Sequence, residues 1–525
     1  MNRQKRQNAA SILPCIGYGL LCGAITGAAI FLFRLAAKYA EHLSRWIYGF
    51  AGRSPVYILP VFVLLALSAL FMLCLHKAVP EAKGGGIPRS EGVLRGLLSF
   101  RWLKTLLATV AGSLLSYVCG VPVGSEGPAV LIGTSLGGMC SAASKKSGAW
   151  NRYVMTGGAG AGFAVATGAP LSAILFSMEE LHKRFTPVLL MTVSTSVLGA
   201  TLVNRVLCSA FAIDFTLLHI PQLSRFELKD TGYLLGLGVL MAIAVALFDY
   251  MVALYESFSK KHTRLLGSRT KMILIFVVTG ILGFVLHDGI YSGHDVILLA
   301  SENHYSLWLL LLLFVVRLFM MLLVTGSGVT GGIFIPTLAI GALAAAVSAK
   351  LFGMVGMSDQ LFAPMVLLGM CAFIGGTLRA PLTAAVLFAE LTGQFTDFFY
   401  AAVVIFSAGC ITELLGQLPF YDTALEKMEQ EQNRGKTSMI GHFEMTVDEH
   451  SFATGKPVRN ILWPSSAIVH SITRANTDLE KLDRDGERRL RAGDKVVIRL
   501  RYYDREAVIK QLKDLVGSNV KETTP

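Results

Sequence analysis

The chain has 525 residues, of which 53% are hydrophobic and only 16% are charged, and its formal net charge is +12. With a mean hydropathy of +0.57, this composition excludes a soluble globular protein and predicts a polytopic membrane protein. Membrane topology accounts for the positive charge, because basic residues collect in cytoplasmic loops. No nucleic-acid-binding motif accompanies that charge, so we expect no nucleic-acid partner.

Several apolar runs approach or reach the roughly 20 residues with which a helix crosses a bilayer. These candidate spans are residues 12–35, 57–75, 233–254, 272–286, 307–324 and 399–415. Two other apolar runs, 128–139 and 170–176, are too short to cross. Arg3, Lys5 and Arg6 precede the first span, which continues too long for a secretory signal. We therefore expect a retained first helix and a cytoplasmic N-terminus.

The membrane part contains an internal duplication. The segment 169–173, Ala-Pro-Leu-Ser-Ala, recurs at 380–384 as Ala-Pro-Leu-Thr-Ala. In the same order, Pro128 with Ile132-Gly133 recurs as Pro336 with Ile340-Gly341. Small and aliphatic residues are common here, but two ordered matches favour duplication over coincidence. Transporters are often built from such repeats, with broken helices meeting at a central site. Periodicity alone leaves open whether the repeats are parallel or inverted.

Three glycine-rich loops with proline interrupt the apolar sequence at 84–88, 124–128 and 331–336. Proline suits the first turn of a helix and glycine lets backbone approach an ion closely, so each loop can present free N–H groups. Helix N-termini of this kind attract anions. Glu126 lies in the second loop. Burying a carboxylate within apolar, membrane-spanning sequence costs free energy, so Glu126 is predicted to be functional. The pattern indicates an anion path, since a cation path would show carbonyls or rings of acids.

The three loops, in this order, resemble the signature motifs of the CLC family of chloride channels and proton-coupled chloride exchangers. The resemblance extends to 178–181, Met-Glu-Glu-Leu, and to 419–421, Pro-Phe-Tyr. It implies an all-α polytopic membrane domain, residues 1–436, with an inverted repeat of broken helices. It also implies a homodimer in a cell membrane, with an anion path in each subunit, which exchanges chloride for protons and is not an enzyme.

By this resemblance, Glu126 is the external gating glutamate and competes with the anion for one position. Glu180 is the internal proton-transfer acid that marks exchangers, and the hydroxyl of Tyr421 contacts the central anion. The other anion-binding positions are Gly85, Gly86, Ile87, Ile333 and Phe334. Glu179 and Glu390 fit the family as buried structural acids. Each role has a plainer alternative: Glu180 is then an interfacial charge, and Tyr421 an interfacial anchor.

Two departures from the family pattern leave the anion and the mechanism open. Gly85 stands where family members commonly carry serine, whose hydroxyl donates to the anion, and Ser125 stands where a basic residue usually precedes the gating glutamate. An exchanger for fluoride or nitrate is therefore an alternative. A passive chloride channel, gated by voltage or pH, is another if Glu180 is dispensable.

The remaining residues, 437–525, predict a small cytoplasmic α+β domain. Strand-like segments at 443–447, 467–473 and 495–500 precede an amphipathic helix at 505–516. The segments 455–458 and 492–498 resemble the C-terminal domain of RCK/TrkA-type ion-transport regulators, which implies regulation and a small-molecule ligand. A stabilising module without a ligand is the alternative. The compact tail also suggests a prokaryotic inner or plasma membrane.

Functions from other classes fit the residues less well. An intramembrane enzyme that used Glu126 and Glu180 as an acid and base pair would need nearby histidine or metal ligands, and only His182 is near in sequence. None of the eight cysteines has a metal-ligand spacing, so we predict neither metal nor cofactor. A receptor or scaffold would require neither acids framed by glycines nor a duplicated pore.

Overall fold

The structure is a computed structural model that describes residues 3–143, 148–213, 223–262, 267–416, 419–474, 480–481 and 486–523. Within these residues, nine helices are long and apolar enough to cross a membrane. All six candidate spans fall on such helices, and the predicted multi-pass membrane protein is confirmed. The three spans that the sequence analysis did not name are Pro187–Phe211, Phe334–Met354 and Asp359–Leu378.

All the membrane helices precede the strands of the tail in the chain, and one further α-helix lies between the last two strands. The α-helices are α1 (Arg3–Ala51), α2 (Ile58–Ala78), α3 (Ile87–Arg95), α4 (Trp102–Val118), α5 (Glu126–Ala143), α6 (Gly148–Thr167), α7 (Pro170–Phe176), α8 (Pro187–Phe211), α9 (Thr231–Lys261), α10 (Ser268–Val285), α11 (His294–Ser301), α12 (Leu307–Ser327), α13 (Phe334–Met354), α14 (Phe362–Leu378), α15 (Pro381–Thr392), α16 (Phe398–Leu414), α17 (Phe420–Gln432) and α18 (Arg505–Val516). The strands are β1 (Met439–Thr446), β2 (Ile468–Thr473), β3 (Glu480–Lys481), β4 (Lys495–Tyr502) and β5 (Val520–Thr523).

Several helices are too short to cross a bilayer. At 1.5 Å per residue, the nine residues of α3 and the seven of α7 cover less than half of the hydrocarbon core. Both carry proline in the first turn, where its missing N–H costs no hydrogen bond. Eight of the nine residues of α3 are buried, which is the setting in which broken helices are tolerated at membrane depth.

Crossed hydrogen bonds tie α7 to α15, the two helices that begin with Ala-Pro-Leu. Glu179 follows the end of α7 and caps the start of α15, whereas Glu390 near the end of α15 caps the start of α7. The backbone donors are Leu382 (3.1 Å) and Thr383 (2.7 Å) to Glu179, and Leu171 and Ser172 (both 2.8 Å) to Glu390. Each helix therefore ends where the other begins, so the pair is antiparallel and the repeat is inverted.

The tail forms an antiparallel sheet with strand order β3-β2-β4-β1-β5. Helix α18 connects β4 to β5, and its start is capped by the Asp504 carboxylate, which accepts from Glu506 and Ala507. The predicted helix and the three predicted strands are confirmed, with β1 beginning four residues earlier than expected. The sequence did not predict β3 and β5, which are only two and four residues long.

The tail packs directly on the membrane helices. Arg152 in α6 donates to the carbonyl of Leu94 at the end of α3 (2.6 Å) and to the carbonyls of Leu462 (2.8 Å) and Trp463 (3.3 Å) in the tail. The ring of Trp150 meets that of Phe452 edge-on, with centroids 5.2 Å apart. One guanidinium thus joins the tail to the helix that follows the first glycine loop.

Candidate functional site

The structure brings the three glycine loops together. Gly124 and Gly332 exchange two backbone hydrogen bonds of 2.7 and 2.8 Å, and the N–H of Gly84 donates to the carbonyl of Gly328 at 2.9 Å. Helices α3, α5 and α13 begin directly after these contacts. Their N-termini, with unsatisfied N–H groups and partial positive charge, therefore meet at one place.

Close backbone packing requires several of the glycines at this junction, among them Gly86 and Gly127. A Cβ on Gly127 would lie 1.8 Å from the carbonyl oxygen of Gly85, and one on Gly86 would lie 2.4 Å from that of Gly127. Gly86 also has a φ of +83°, which side chains rarely adopt. At Gly85 the nearest atom to a Cβ is Cγ1 of Ile333 at 3.5 Å, an ordinary contact. Packing therefore does not explain why glycine stands at position 85.

Glu126 is the first residue of α5, and its side chain has no exposed surface. The Ser125 hydroxyl donates to Oε1 at 3.0 Å, whereas Oε2 has no hydrogen-bond partner among the described residues. Oε2 lies against Gly124: a Cβ added to Gly124 would be 2.5 Å from this oxygen. Arg34 and His294 act electrostatically on the carboxylate, and both line one cavity with Ser125. The guanidinium of Arg34 provides a positive charge that Ser125, in the position usually basic in the family, does not.

Glu180 is equally buried, with 1% of its surface exposed. It lies on a π-helical turn, Ser177–Leu181, that continues α7, and π-turns are frequent at functional sites. Within the part of the chain that the structure describes, its Oε1 accepts no hydrogen bond. The charged groups around it include Glu91, Lys183 and Asp422. An acid in this position can exchange a proton without breaking an ion pair of its own.

A charged network that the sequence analysis missed surrounds Glu180. Arg95 pairs with the fully buried Glu91 at 2.6 Å and lies 3.7 Å from Asp422, which also pairs with Lys183 at 2.5 Å. Glu91 and Arg95 are four residues apart on α3, a spacing that pairs side chains on one helix face. That spacing was visible in the sequence, but the contacts with Lys183 and Asp422 join distant segments.

Tyr421 lies within electrostatic range of both glutamates. Its side chain is buried at the second position of α17, and the charges of Glu180 and Glu126 both act on its hydroxyl. Ile333 and Phe334 are buried at the start of α13. The remaining predicted positions, Gly85, Gly86 and Ile87, form the junction just described. The structure thus brings the glycine positions, Ile333 and the start of α5 with Glu126 together at one point, the loop junction.

Two cavities reach this point from opposite ends of α2. One has a volume of about 530 Å³ and is lined by Lys83, just beyond the end of α2, and by Gly85. The other measures about 550 Å³ and is lined by Ser125 and by Arg45, close to the end of α1 that leads into α2. We call them the tail-side and far-side cavities, because α17, which leads to the tail, lines the first.

An inverted repeat of spanning and broken helices, with three helix N-termini that meet between two cavities and with buried acids in the protein interior, defines a membrane transport protein. A family model described as voltage gated chloride channel matches residues 66–413. The chain belongs to this family, also known as CLC.

Curated relatives and solved structures agree with that assignment. The chain is 30% identical over 426 residues to the H(+)/Cl(-) exchange transporter ClcA of Vibrio cholerae, an alignment that covers 79% of this chain and 89% of the relative. It is 29% identical over 425 residues to the protein of the same name in Citrobacter koseri, covering 78% and 88%. The structure of a slow cyanobacterial Cl-/H+ antiporter superposes with a TM-score of 0.74 at 27% identity, covering 80% of this chain and 99% of that one. A CLC-type fluoride/proton antiporter, at 19% identity and a TM-score of 0.60, shares the fold; there the match covers 77% of this chain and 95% of the other.

Proposed function

We propose that this protein exchanges chloride for protons across a bacterial cell membrane. The observation that carries the proposal is the pair of buried glutamates, Glu126 and Glu180, which lie on different elements of the fold and within electrostatic range of the same tyrosine, Tyr421. The names of the curated relatives and of the cyanobacterial antiporter support the same activity.

The exchange follows from competition for one set of donors. An ionised Glu126 and a chloride ion both require the N–H groups at the loop junction, so they do not occupy it together. Protonation removes the negative charge of Glu126, and its carboxyl group then leaves the site to the anion. An anion therefore enters the site when Glu126 takes up a proton, and it leaves the site when Glu126 releases the proton and returns.

Glu180 supplies the other end of the proton path. We propose that it passes protons between Glu126 and the tail-side solution, past Lys183 and Asp422. The anion meanwhile binds between the backbone N–H groups of 85–87, those of Ile333 and Phe334, and the hydroxyl of Tyr421. Protons and anions then share the loop junction and separate on the tail side.

Neutralising Glu180 tests this mechanism. In liposomes that contain the purified protein, an imposed chloride gradient is expected to drive protons uphill in the wild type. Glu180→Gln is expected to stop proton movement, because the amide cannot carry a proton through the path. Glu179→Gln, which neutralises the adjacent acid, is the matched control and should retain coupling. Chloride flux without protons in the wild type would identify a passive channel instead.

Gly85 bears on a separate question, namely which anion the protein transports. Because no side-chain hydroxyl is present there, the central site relies on backbone donors and Tyr421. This observation favours a second candidate, exchange of fluoride or nitrate, over a site tuned strictly to chloride. Replacing chloride by each anion in the same flux assay, with proton uptake as the common readout, ranks the three substrates.

We infer further that both termini are cytoplasmic. Lys83, Lys260 and Lys271 line the tail-side cavity, and the positive-inside rule assigns such a surface to the cytoplasm. We also propose that residues 1–436 form the transport domain, that 437–525 form a regulatory tail related to TrkA-type domains, with a small ligand of its own, and that two subunits associate. Accessibility of cysteines introduced in the tail, and mass measurement in detergent, test topology and dimerisation.

A further inference from the structure

The tail-side cavity contains a buried arginine that the exchange mechanism does not use. Arg89 lies in α3, one residue after the proline of the first loop, and only 8% of its surface is exposed. Among the described residues it forms no ion pair, and its Nε has no hydrogen-bond acceptor. Glu81 and Glu431 act on its charge only from a distance. A buried guanidinium without a partner is costly, so the cavity favours an anionic occupant.

The other charges that line this cavity are largely positive or already paired. Lys427 forms an ion pair with Glu256, and Lys83 is 3.4 Å from Glu431. Two more lysines, Lys260 and Lys271, line the cavity, as does one further carboxylate, Asp249. With the two ion pairs set aside, Arg89 and two lysines face one acid. The excess positive charge suits an anion with more than one negative charge.

The size and walls of the cavity indicate that the anion carries an organic group. A volume of about 530 Å³ falls in the range of small-molecule sites, roughly 300–1,000 Å³, and greatly exceeds a halide ion. Val252, Phe420 and Met428 provide apolar wall. The hydroxyl of Tyr255 is buried there without a hydrogen-bond partner in the described part of the chain.

We propose that the tail-side cavity binds a small organic phosphate, with the phosphate on Arg89 and the organic group against Tyr255 and the apolar wall. Guanidinium matches phosphate because its planar fork donates two parallel hydrogen bonds. Gly85 and Ile333 also line this cavity, so a bound ligand covers the tail-side approach to the loop junction and lowers anion flux. Only this last consequence depends on the proposed function.

Equilibrium binding tests the site independently of transport. Phenyl phosphate, a minimal aromatic phosphate, is titrated calorimetrically into the full-length protein in detergent. Arg89→Gln is expected to weaken binding by roughly 10- to 100-fold, because a charged hydrogen-bonding partner is lost. Lys271→Gln, at the cavity wall, should weaken it by a smaller factor, and is informative even if the Arg89 variant is unstable. Arg53→Gln removes the same charge from an exposed site on the far side and is expected to bind normally.

Three results would overturn the proposal. The first is no binding of phenyl phosphate by the wild type, or equal binding by wild type and both cavity variants. The second is equal affinity for inorganic phosphate, which would show that no organic group is recognised. The third concerns lipid: in nanodiscs, added phosphatidylglycerol should leave binding unchanged, whereas Arg89-dependent competition by this lipid would assign the site to a headgroup.

Discussion

Gly85, Gly86 and Gly127 meet at one junction, but the backbone requires only the last two. Carbonyl oxygens lie 1.8 and 2.4 Å from the Cβ positions of Gly127 and Gly86, whereas position 85 has room for a side chain. The glycine at 85 therefore removes a hydroxyl without any gain in packing. Its effect should appear in anion binding and not in folding.

Gly85→Ser is expected to fold normally and to bind chloride about two- to tenfold more tightly, the usual contribution of one neutral hydrogen bond. Calorimetric titration of chloride, together with nitrate and fluoride, measures the change in affinity and in preference. Gly86→Ser is the steric control and should lower the unfolding temperature, because its φ and the Gly127 carbonyl both oppose a side chain. If the two variants were equally destabilised, our account of position 85 would be wrong.

The surroundings of Glu126 show what a sequence pattern does not predict. The family resemblance places a basic residue at position 125, where this chain has serine. In the structure His294 and Arg34 act on this carboxylate from α11 and α1. No local pattern could reveal this, because the three segments are distant in the chain and meet only in the folded protein.

Among the helices, α7 and α15 depend on each other through Glu179 and Glu390. The sequence indicated that these acids follow matching prolines, and the resemblance assigned them a structural role. The structure adds the physical reason: each carboxylate satisfies N–H groups at the start of the opposite helix and interacts favourably with its dipole. The two caps are equivalent under the inverted repeat.

Removing either cap should destabilise the protein without affecting transport stoichiometry. We expect Glu179→Ala and Glu390→Ala each to lower the free energy of unfolding by about 1–2 kcal/mol, as lost helix caps do. Thermal unfolding in detergent measures this, and liposome fluxes measure the proton-to-chloride ratio. Glu302→Ala, in an exposed turn, controls for loss of an acid. A capping variant with normal stability but no proton coupling would instead place that glutamate in the proton path.

For the whole molecule, the tail contacts α6 through Trp150, Arg152 and Tyr153, and Arg152 extends that contact to α3. The first residue of α3 belongs to the first glycine loop, and its end, at Leu94, is held by the Arg152 guanidinium that also binds two tail carbonyls. Arg95, at the same end, donates to the tail hydroxyl of Ser465 at 3.3 Å. A displacement of the tail can therefore reach the loop junction through one short, rigid helix.

Arg152→Ala should release the tail and alter transport together. Loss of the two charge-assisted hydrogen bonds to the tail is expected to cost at least about 2 kcal/mol of docking free energy. The connector after α17 should then be cut faster by protease, and the exchange rate should fall while its stoichiometry is kept. Arg459→Ala removes an exposed tail arginine, which pairs with Glu487, and should change neither. Unchanged protease resistance in Arg152→Ala would contradict the proposed coupling.

The sequence by itself determined the membrane class, six of the nine spanning helices, the duplication, the glycine loops and most of the tail's secondary structure. These properties arise from hydropathy, proline and glycine over a few adjacent residues, so a linear reading detects them. Two of the three unnamed spans, Phe334–Met354 and Asp359–Leu378, are the most deeply buried of the nine in the described residues, with 78% and 94% of their apolar windows buried. Their windows are no less hydrophobic than those of the named spans 272–286 and 399–415, so these two helices differ from the named spans in burial and not in hydropathy.

The tertiary structure alone decided the sense of the repeat, the meeting of the three loops, the charged network around Glu180 and the burial of Arg89 without an ion pair among the described residues. Each depends on residues that are far apart in the chain, such as Gly124 with Gly332, or Lys183 with Asp422. Charge and hydrogen-bonding partners are chosen by distance in space, and helix packing sets those distances. A single sequence indicates which residues are costly to bury, and only the folded chain shows what surrounds them.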